Sequence, residues 1–154
     1  MTPWPNFLRF SPKKKEVYNI ELVAKLNAII EELSTLNTSI DRLLIAFEDK
    51  KHDFTQETYV VKTEGFIEST LYILHGISLL NIDEKVRASI MKNLNGTVIS
   101  QLQLSKKNYL DDNPKYLQNI ALALMQVNRV KVYMQDVAEA YSSREGHYIG
   151  RDFK

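Results

Sequence analysis

Residues 22–47, LVAKLNAIIEELSTLNTSIDRLLIAF, decide the fold of this chain. Large apolar residues recur in this stretch at alternating intervals of four and three: Leu22, Leu26, Ile29, Leu33, Leu36, Ile40, Leu43 and Phe47. Because an α-helix turns once in about 3.6 residues, this spacing places the eight side chains in one stripe along a helix. Ile30 and Leu44 widen the stripe, which favours a globular bundle over a two-stranded coiled coil. The stretch therefore predicts a long helix that buries this stripe against other helices.

A second stripe with the same spacing lies further along the chain: Tyr116, Ile120, Ala123, Val127, Val130, Met134, Val137 and Tyr141. It follows Asn113, which suits a helix N-cap, and Pro114, which suits the first helical position because its missing N–H would have no partner there. Two further helices are predicted between the stripes, over about residues 55–80 and about residues 82–109. Asn81 is the predicted cap of the third helix, with Glu84 completing a capping box.

The pair Asn95-Gly96 interrupts the third predicted helix, and such a pair can end a helix. Apolar residues nevertheless continue at four-residue intervals through it: Val86, Ile90, Leu94, Val98 and Leu102. This continuity favours a continuous or kinked helix, although a break at Asn95-Gly96 stays open. Four helices with short connections predict an all-α, up-down-up-down antiparallel four-helix bundle with non-helical N- and C-terminal tails.

The chain of 154 residues divides into an N-terminal arm (residues 1–15), the helical bundle (16–141) and a C-terminal tail (142–154). The arm carries a formal charge of +4 and the tail +1, whereas the bundle carries −4. There is no cysteine, which excludes disulfides, thiolate metal sites and cysteine nucleophiles. No apolar run is long enough for a signal peptide or a membrane span, so we expect a cytoplasmic location and no membrane contact.

The sequence contains no recognisable catalytic or cofactor-binding motif. The Glu-x-x-His motif of di-iron bundles is absent, and so are glycine-rich phosphate-binding loops and the nucleophile elbow. Glu64, Glu68 and His75 share a face of the second predicted helix, but a solvated helix face that includes a histidine is the simpler interpretation. We therefore expect no enzyme activity, no metal, no cofactor and no small-molecule substrate.

Both tails combine aromatic and basic residues, and they are the predicted contact sites for a protein partner or for a second copy of this chain. The predicted contact residues are Trp4, Phe7, Arg9, Phe10, Tyr148, Arg151 and Phe153. Aromatic residues and arginine commonly anchor protein interfaces. These features favour a non-enzymatic adaptor or assembly subunit that acts through protein–protein contacts, within an oligomer or a larger complex.

Binding of RNA or single-stranded DNA is the alternative function. Lys13, Lys14 and Lys15 precede the first predicted helix beside aromatic residues. Single strands are held in this way, because cations contact the phosphates while aromatic rings stack on the bases. The acidic bundle and a sequence pI near 7.9 argue against this alternative, since nucleic-acid-binding domains are usually strongly basic.

Overall fold

The computed structural model of this chain describes residues 12–49 and 56–142, with side chains from residue 20 onward. Every element in these ranges is helical. They are α1 (Pro12–Glu48), α2 (Gln56–Ser78), α3 (Glu84–Asn93), α4 (Ser100–Leu110) and α5 (Lys115–Ser142), with a π-helical segment, Leu94–Ile99, between α3 and α4. Because the π segment joins α3 to α4 without a turn, the described chain is an all-α protein of four helices, as the sequence predicts.

The stripe predicted on α1 is buried along its whole length. Each of its eight residues, from Leu22 to Phe47, exposes 6% or less of its surface. α1 packs most extensively against α5, on which the second predicted stripe is buried between Ile120 and Val137 and partly buried at its two end tyrosines. Since burying a large aliphatic side chain contributes about 1.5–3 kcal/mol, the contact between these stripes is a main source of stability.

Each of the four helices lies beside two others in the described chain. α1 also contacts α2, and the third helix packs against both α2 and α5. The ring of Phe47, near the end of α1, lies 4.8 Å from that of Tyr59, near the start of α2. The Tyr141 hydroxyl, near the end of α5, accepts a hydrogen bond of 3.1 Å from the N–H of Asp83, just before α3.

Asn95-Gly96 does not break the third helix. The backbone is right-handed helical at Leu94 and at Ser100, on either side of the pair. In an α-helix, residues spaced by four rotate around the axis by about 40° per step, whereas a π-helix takes more residues per turn. The π segment therefore keeps the four-residue series on one face, and all its members are buried: Val86, Ile90, Leu94, Val98 and Leu102.

The predicted N-terminal boundary is wrong, because α1 begins at Pro12, inside the arm (residues 1–15) that was predicted to be non-helical. Proline is tolerated in the first turn of a helix, where its missing N–H would be unpaired in any case. The remainder of the arm and of the C-terminal tail, residues 1–11 and 143–154, lies outside the described residues. No described helix has both the length and the apolar character needed to cross a lipid bilayer.

The caps of α3 and α5 correct one prediction and confirm another. Asp83, rather than Asn81, caps α3, since its carboxylate accepts hydrogen bonds from the backbone N–H groups of Lys85 and Val86, at 3.0 and 3.1 Å. The predicted cap of the last helix is confirmed. The side-chain oxygen of Asn113 accepts a hydrogen bond of 3.1 Å from the N–H of residue 115, where α5 begins.

Replacing Gly65 in α2 by alanine is expected to raise the free energy of unfolding by about 0.5–1 kcal/mol, since glycine is disfavoured inside a helix by that amount. A Cβ atom at this position would meet no other atom within 4 Å. Urea denaturation followed by circular dichroism measures the change. As a contrast, Ile40→Ala, in the fully buried stripe of α1, should lower the free energy by about 2–5 kcal/mol. Destabilisation by Gly65→Ala would contradict the open space described around this residue.

Candidate functional site

The residues predicted to contact a partner lie outside the described residues: Trp4, Phe7, Arg9, Phe10, Tyr148, Arg151 and Phe153. Lys13, Lys14 and Lys15, predicted to contact nucleic acid, belong to the first turn of α1 instead of preceding it. Their side chains fall outside the described part of the chain. Both assignments therefore stay predictions, and the candidate site that follows is built from other residues.

An open groove of about 790 Å³ runs between α1 and α2. It is lined by α1 between residues 28 and 39 and by α2 between residues 62 and 73. Each wall is about 16 Å long, or three helical turns, at a rise of about 1.5 Å per residue. Leu36 and Ile73 are buried at its base, and Phe66 is partly buried beside them. The groove therefore has an apolar floor between two helical walls.

The groove results from the way in which α1 is packed. α1 follows α5 closely but contacts α2 less extensively. The two helices approach each other at Gly76, where a Cβ atom would lie 3.6 Å from the Cδ1 atom of Ile29. Further along, small residues from both helices line the groove and leave it open: Ala28, Thr35, Ser39, Gly65 and Ser69.

α2 also presents large apolar side chains to solvent. Val61, Leu71 and Tyr72 on α2 expose 59%, 51% and 70% of their surfaces, and Leu79, the residue after the end of α2, exposes 70%. Tyr72 lines the groove itself. Single exposed apolar residues are ordinary, but an exposed aromatic ring that borders an apolar groove, as Tyr72 does, is typical of a contact surface.

The two walls of the groove belong to the acidic half of the bundle. Residues 20–49 and 56–78, on α1 and α2, include nine acidic and three basic residues, whereas 84–110 and 115–142 include three acidic and eight basic ones. Glu31 and Glu32 line the groove on α1, and Lys62 lines it on α2. The potential inside the groove is therefore set by carboxylates on the α1 wall and by an ammonium group on the α2 wall.

Four aromatic rings pack together at one end of the bundle: Phe47, Tyr59, Tyr109 and Tyr116. The rings of Tyr59 and Tyr109 are stacked with their centroids 4.1 Å apart, while Phe47 and Tyr116 meet Tyr59 edge-on. Such pairs contribute about 0.5–1.5 kcal/mol beyond the area they bury. This aromatic cluster joins residues near the ends of α1, α2, α4 and α5, so it fixes where these helices meet.

The hydroxyl of Tyr59 is buried within this cluster and hydrogen-bonded to the Ser105 Oγ atom at 2.5 Å. Ser105 donates its own proton to the backbone carbonyl of Tyr116, at 2.8 Å. Because a serine hydroxyl has only one proton, Tyr59 must be the donor to Ser105. Burial raises the pKa of Tyr59 to about 12, so this hydroxyl stays protonated above pH 10, where an exposed tyrosine ionises. Its chemical role is to donate a structural hydrogen bond.

Amide side chains connect the third helix to α5. Gln126 donates to the side-chain oxygen of Asn93 at 2.7 Å, and Asn119 donates to Gln101 at 2.9 Å while accepting from Asn108 at 2.7 Å. In the described chain, every buried side-chain nitrogen and oxygen atom has a hydrogen-bond partner. This interface is therefore closed by its own polar groups, in contrast to the open groove between α1 and α2.

The described side chains form no group of three His, Asp or Glu residues able to hold a metal ion. Glu64, one of the three polar residues noted on the second predicted helix, instead pairs with Lys106 of α4, with 3.4 Å between Oε1 and Nζ. No family model, no curated protein and no solved structure matches this chain. The fold and the site thus define an all-helical protein, over the described residues, with an open, apolar-floored groove between α1 and α2.

Sequence reasoning did not find the groove. Its floor residues were expected to be ordinary core residues, and its small residues have no motif. One signal was available on the second predicted helix, where Leu71, Tyr72 and Leu79 make the apolar surface broader than a single buried face requires. The opening between two helices cannot be deduced from such a pattern, because it depends on the distance between their axes.

The hydrogen bond between Tyr59 and Ser105 is expected to couple these residues by about 1 kcal/mol, measured by a double-mutant cycle in urea. Ser105→Ala should cost about 1–3 kcal/mol, since it leaves the buried Tyr59 hydroxyl without its acceptor. Tyr59→Phe should cost less, because Ser105 keeps its bond to Tyr116. The matched control is Tyr72→Phe, on the exposed side of α2. Strictly additive single-mutant effects would contradict the described hydrogen bond.

The stability of this protein is expected to fall as the pH rises from about 10 to about 12. In the folded chain, burial raises the pKa of Tyr59 to about 12 and also raises the pKa of Tyr109 and Tyr116. An unfolded tyrosine ionises near pH 10, so over this interval the unfolded state has lost protons that the folded state retains. The stabilisation that comes from keeping these tyrosines protonated is complete below pH 10, and it is lost as the pH rises to the pKa values that they have in the folded chain. Urea midpoints measured across this range should decline more steeply for the wild type than for Tyr59→Phe.

Proposed function

We propose that this protein is a non-enzymatic adaptor or assembly subunit that binds a helix of a partner protein in the groove between α1 and α2. The observation that carries the proposal is the groove itself, with its buried apolar floor at Leu36 and Ile73 and its open mouth. Binding of an amphipathic helix in an apolar groove between two helices is a recurring mode of peptide recognition.

The dimensions of the groove match a helical ligand. Walls of about three turns accommodate a stripe of side chains at positions i, i+4, i+7 and i+11 of a ligand helix. The small residues on both walls permit close approach of a helix backbone, and Gly65 leaves space where a larger side chain would close the mouth. Tyr72 provides an aromatic ring of the kind that anchors interfaces.

We also propose the up-down-up-down antiparallel order for the four helices. The aromatic cluster supports this order because it combines Phe47 from the end of α1, Tyr59 from the start of α2, Tyr109 from the end of α4 and Tyr116 from the start of α5. Alternate helices that reverse direction bring these ends together. In that order α1 has two neighbours, α5 and α2, and the groove is the incompletely packed junction with the second.

RNA or single-stranded DNA is disfavoured as the ligand of this groove. Its phosphates would face the carboxylates of Glu31 and Glu32, and the binding of nucleic acid depends on phosphate neutralisation by cations. The nucleic-acid alternative therefore depends on Lys13, Lys14 and Lys15, which are not part of the groove.

Filling the groove is expected to abolish partner binding without unfolding the protein. The full-length chain, its Gly65→Trp variant and a control, Val132→Trp, are used to capture proteins from an extract of the source cells. Val132 is 47% exposed on α5 and does not line the groove. A specific partner should be retained by the wild type and by Val132→Trp, and should be lost with Gly65→Trp. Gly65→Ala provides a second control, because it removes the glycine but leaves the groove open.

Each captured protein is then purified and mixed with the four forms of the chain to confirm direct binding. Thermal melting monitored by circular dichroism establishes that the variants are folded. Equal binding of the recovered partner by Gly65→Trp and by the wild type would contradict the proposal, and so would recovery of nucleic acid instead of protein.

A further inference from the structure

The charges around the groove restrict which helix can occupy it. Residues 20–49 and 56–78 include nine acidic and three basic residues, and two of the acids, Glu31 and Glu32, line the groove. Glu31 is exposed and Glu32 is half-buried. A carboxylate that loses water when a ligand binds requires a cationic partner, because an uncompensated charge is costly to desolvate.

The same charge distribution disfavours a second copy of this chain as the occupant. A two-fold symmetric dimer places the same patch of both copies face to face. Pairing of two grooves would therefore bring together two surfaces that are both net acidic, since residues 20–49 and 56–78 of each copy include nine acidic and three basic residues. Like charges facing one another across an interface suppress association. The acidic surface is complementary to a cationic ligand.

We propose that the groove binds a cationic amphipathic helix of a partner protein, with apolar residues along about three turns and lysine or arginine residues beside Glu31 and Glu32. This inference rests on the proposed function and specifies the chemical class of the partner. The apolar stripe of the ligand packs on Leu36, Phe66 and Ile73, while its basic side chains extend toward the α1 wall.

Lys62 makes the two ends of the groove different and therefore influences how the ligand helix lies. Lys62 lines the α2 wall toward the Ser39 end of the groove, whereas Glu31 and Glu32 lie toward the other end, where Ile29 approaches Gly76. The basic residues of the ligand are attracted to the end with Glu31 and Glu32 and repelled from the end with Lys62. Reversing the charge of Lys62 removes this repulsion, so Lys62→Glu is expected to increase the affinity for a uniformly cationic helix, whereas most surface substitutions would leave it unchanged or reduce it.

The test uses two fluorescent helical peptides of about 18 residues, or five turns. One has leucines on one face and lysines on the other, and the second has glutamates in place of the lysines. Binding to the full-length chain is measured by fluorescence anisotropy at an ionic strength of about 0.15 M, where long-range attraction between exposed charges is largely screened. The variants are Glu31→Lys/Glu32→Lys, Lys62→Glu and Gly65→Trp.

The control for net charge is Asp41→Lys/Glu48→Lys. These residues are exposed on α1 and do not line the groove. Their angular positions along the helix place them on the side opposite to Glu32 and Ser39, which line the groove. The control therefore changes the charge of the same helix by the same amount without changing the groove.

We expect the lysine peptide to bind about tenfold more tightly than the glutamate peptide, a difference that a few rim charge pairs supply. Glu31→Lys/Glu32→Lys should remove this preference, Gly65→Trp should abolish binding, and Lys62→Glu should strengthen binding. Asp41→Lys/Glu48→Lys should have little effect. Equal loss of affinity in the Asp41/Glu48 control would overturn the inference, because it would show non-specific attraction to an acidic surface.

Two further outcomes separate this inference from the proposed function. If both peptides bind the wild type equally well and neither binds the Gly65→Trp variant, the groove is a helix-binding site, but the proposed preference for a cationic helix is wrong. If light scattering shows that the wild type is a dimer and that Gly65→Trp is a monomer, a second copy occupies the groove, and the cationic partner is excluded.

Discussion

The burial of one stripe on α1 is the constraint on which the rest of the structure depends. A helix that carries eight large apolar residues at alternating intervals of four and three must cover them, and α5 supplies a stripe of the same spacing. This match aligns α1 with α5 over most of their length. α1 packs less extensively against α2, and beside the stripe its surface is polar at Glu31, Thr35 and Ser39, which line the groove. The opening toward α2 thus accompanies the close packing of α1 against α5.

The other interfaces of the bundle are closed in different ways. Between the third helix and α5, amide side chains such as Asn93 and Gln126 hydrogen-bond to each other across the interface. At the end formed by the aromatic cluster, stacked and edge-on rings exclude water from the Tyr59 hydroxyl, which Ser105 satisfies. These contacts are directional, so they specify the relative position of the helices as well as stabilising them. The junction of α1 with α2 lacks contacts of this kind over the length of the groove within the described residues, and it is there that the surface can accept another helix.

Periodicity predicted the four helices and both buried stripes. The spacing of apolar residues is a local property of the sequence, and it determines directly which face of each helix is buried in the core. It also predicted continuity through Asn95-Gly96, although not its form. An uninterrupted series of four-residue intervals from Val86 to Leu102 is itself a signal of an underwound helix, since an α-helix would rotate the series off its face. The cap at Asp83 was missed because Asn81 offered an equally good local motif. The residue at which the helix begins, Glu84, decides between them, and the local sequence does not specify it. The groove was missed for a more general reason, because the distance between two helices is a property of the whole packing.

The residues that keep the groove open are not those that stability alone would favour. Glycine at position 65 weakens α2 by about 0.5–1 kcal/mol relative to alanine, and open space surrounds it. Tyr72, which lines the groove, leaves 70% of its surface in water, where apolar area contributes nothing to folding. Larger apolar residues at Gly65 and Ser69 would bury more surface between α1 and α2. Binding sites commonly retain such locally unfavourable features, since a ligand must be able to enter and complete the packing. A partner helix lying on Leu36 and Ile73 would provide α1 and α2 with the packing layer that the chain itself does not supply there.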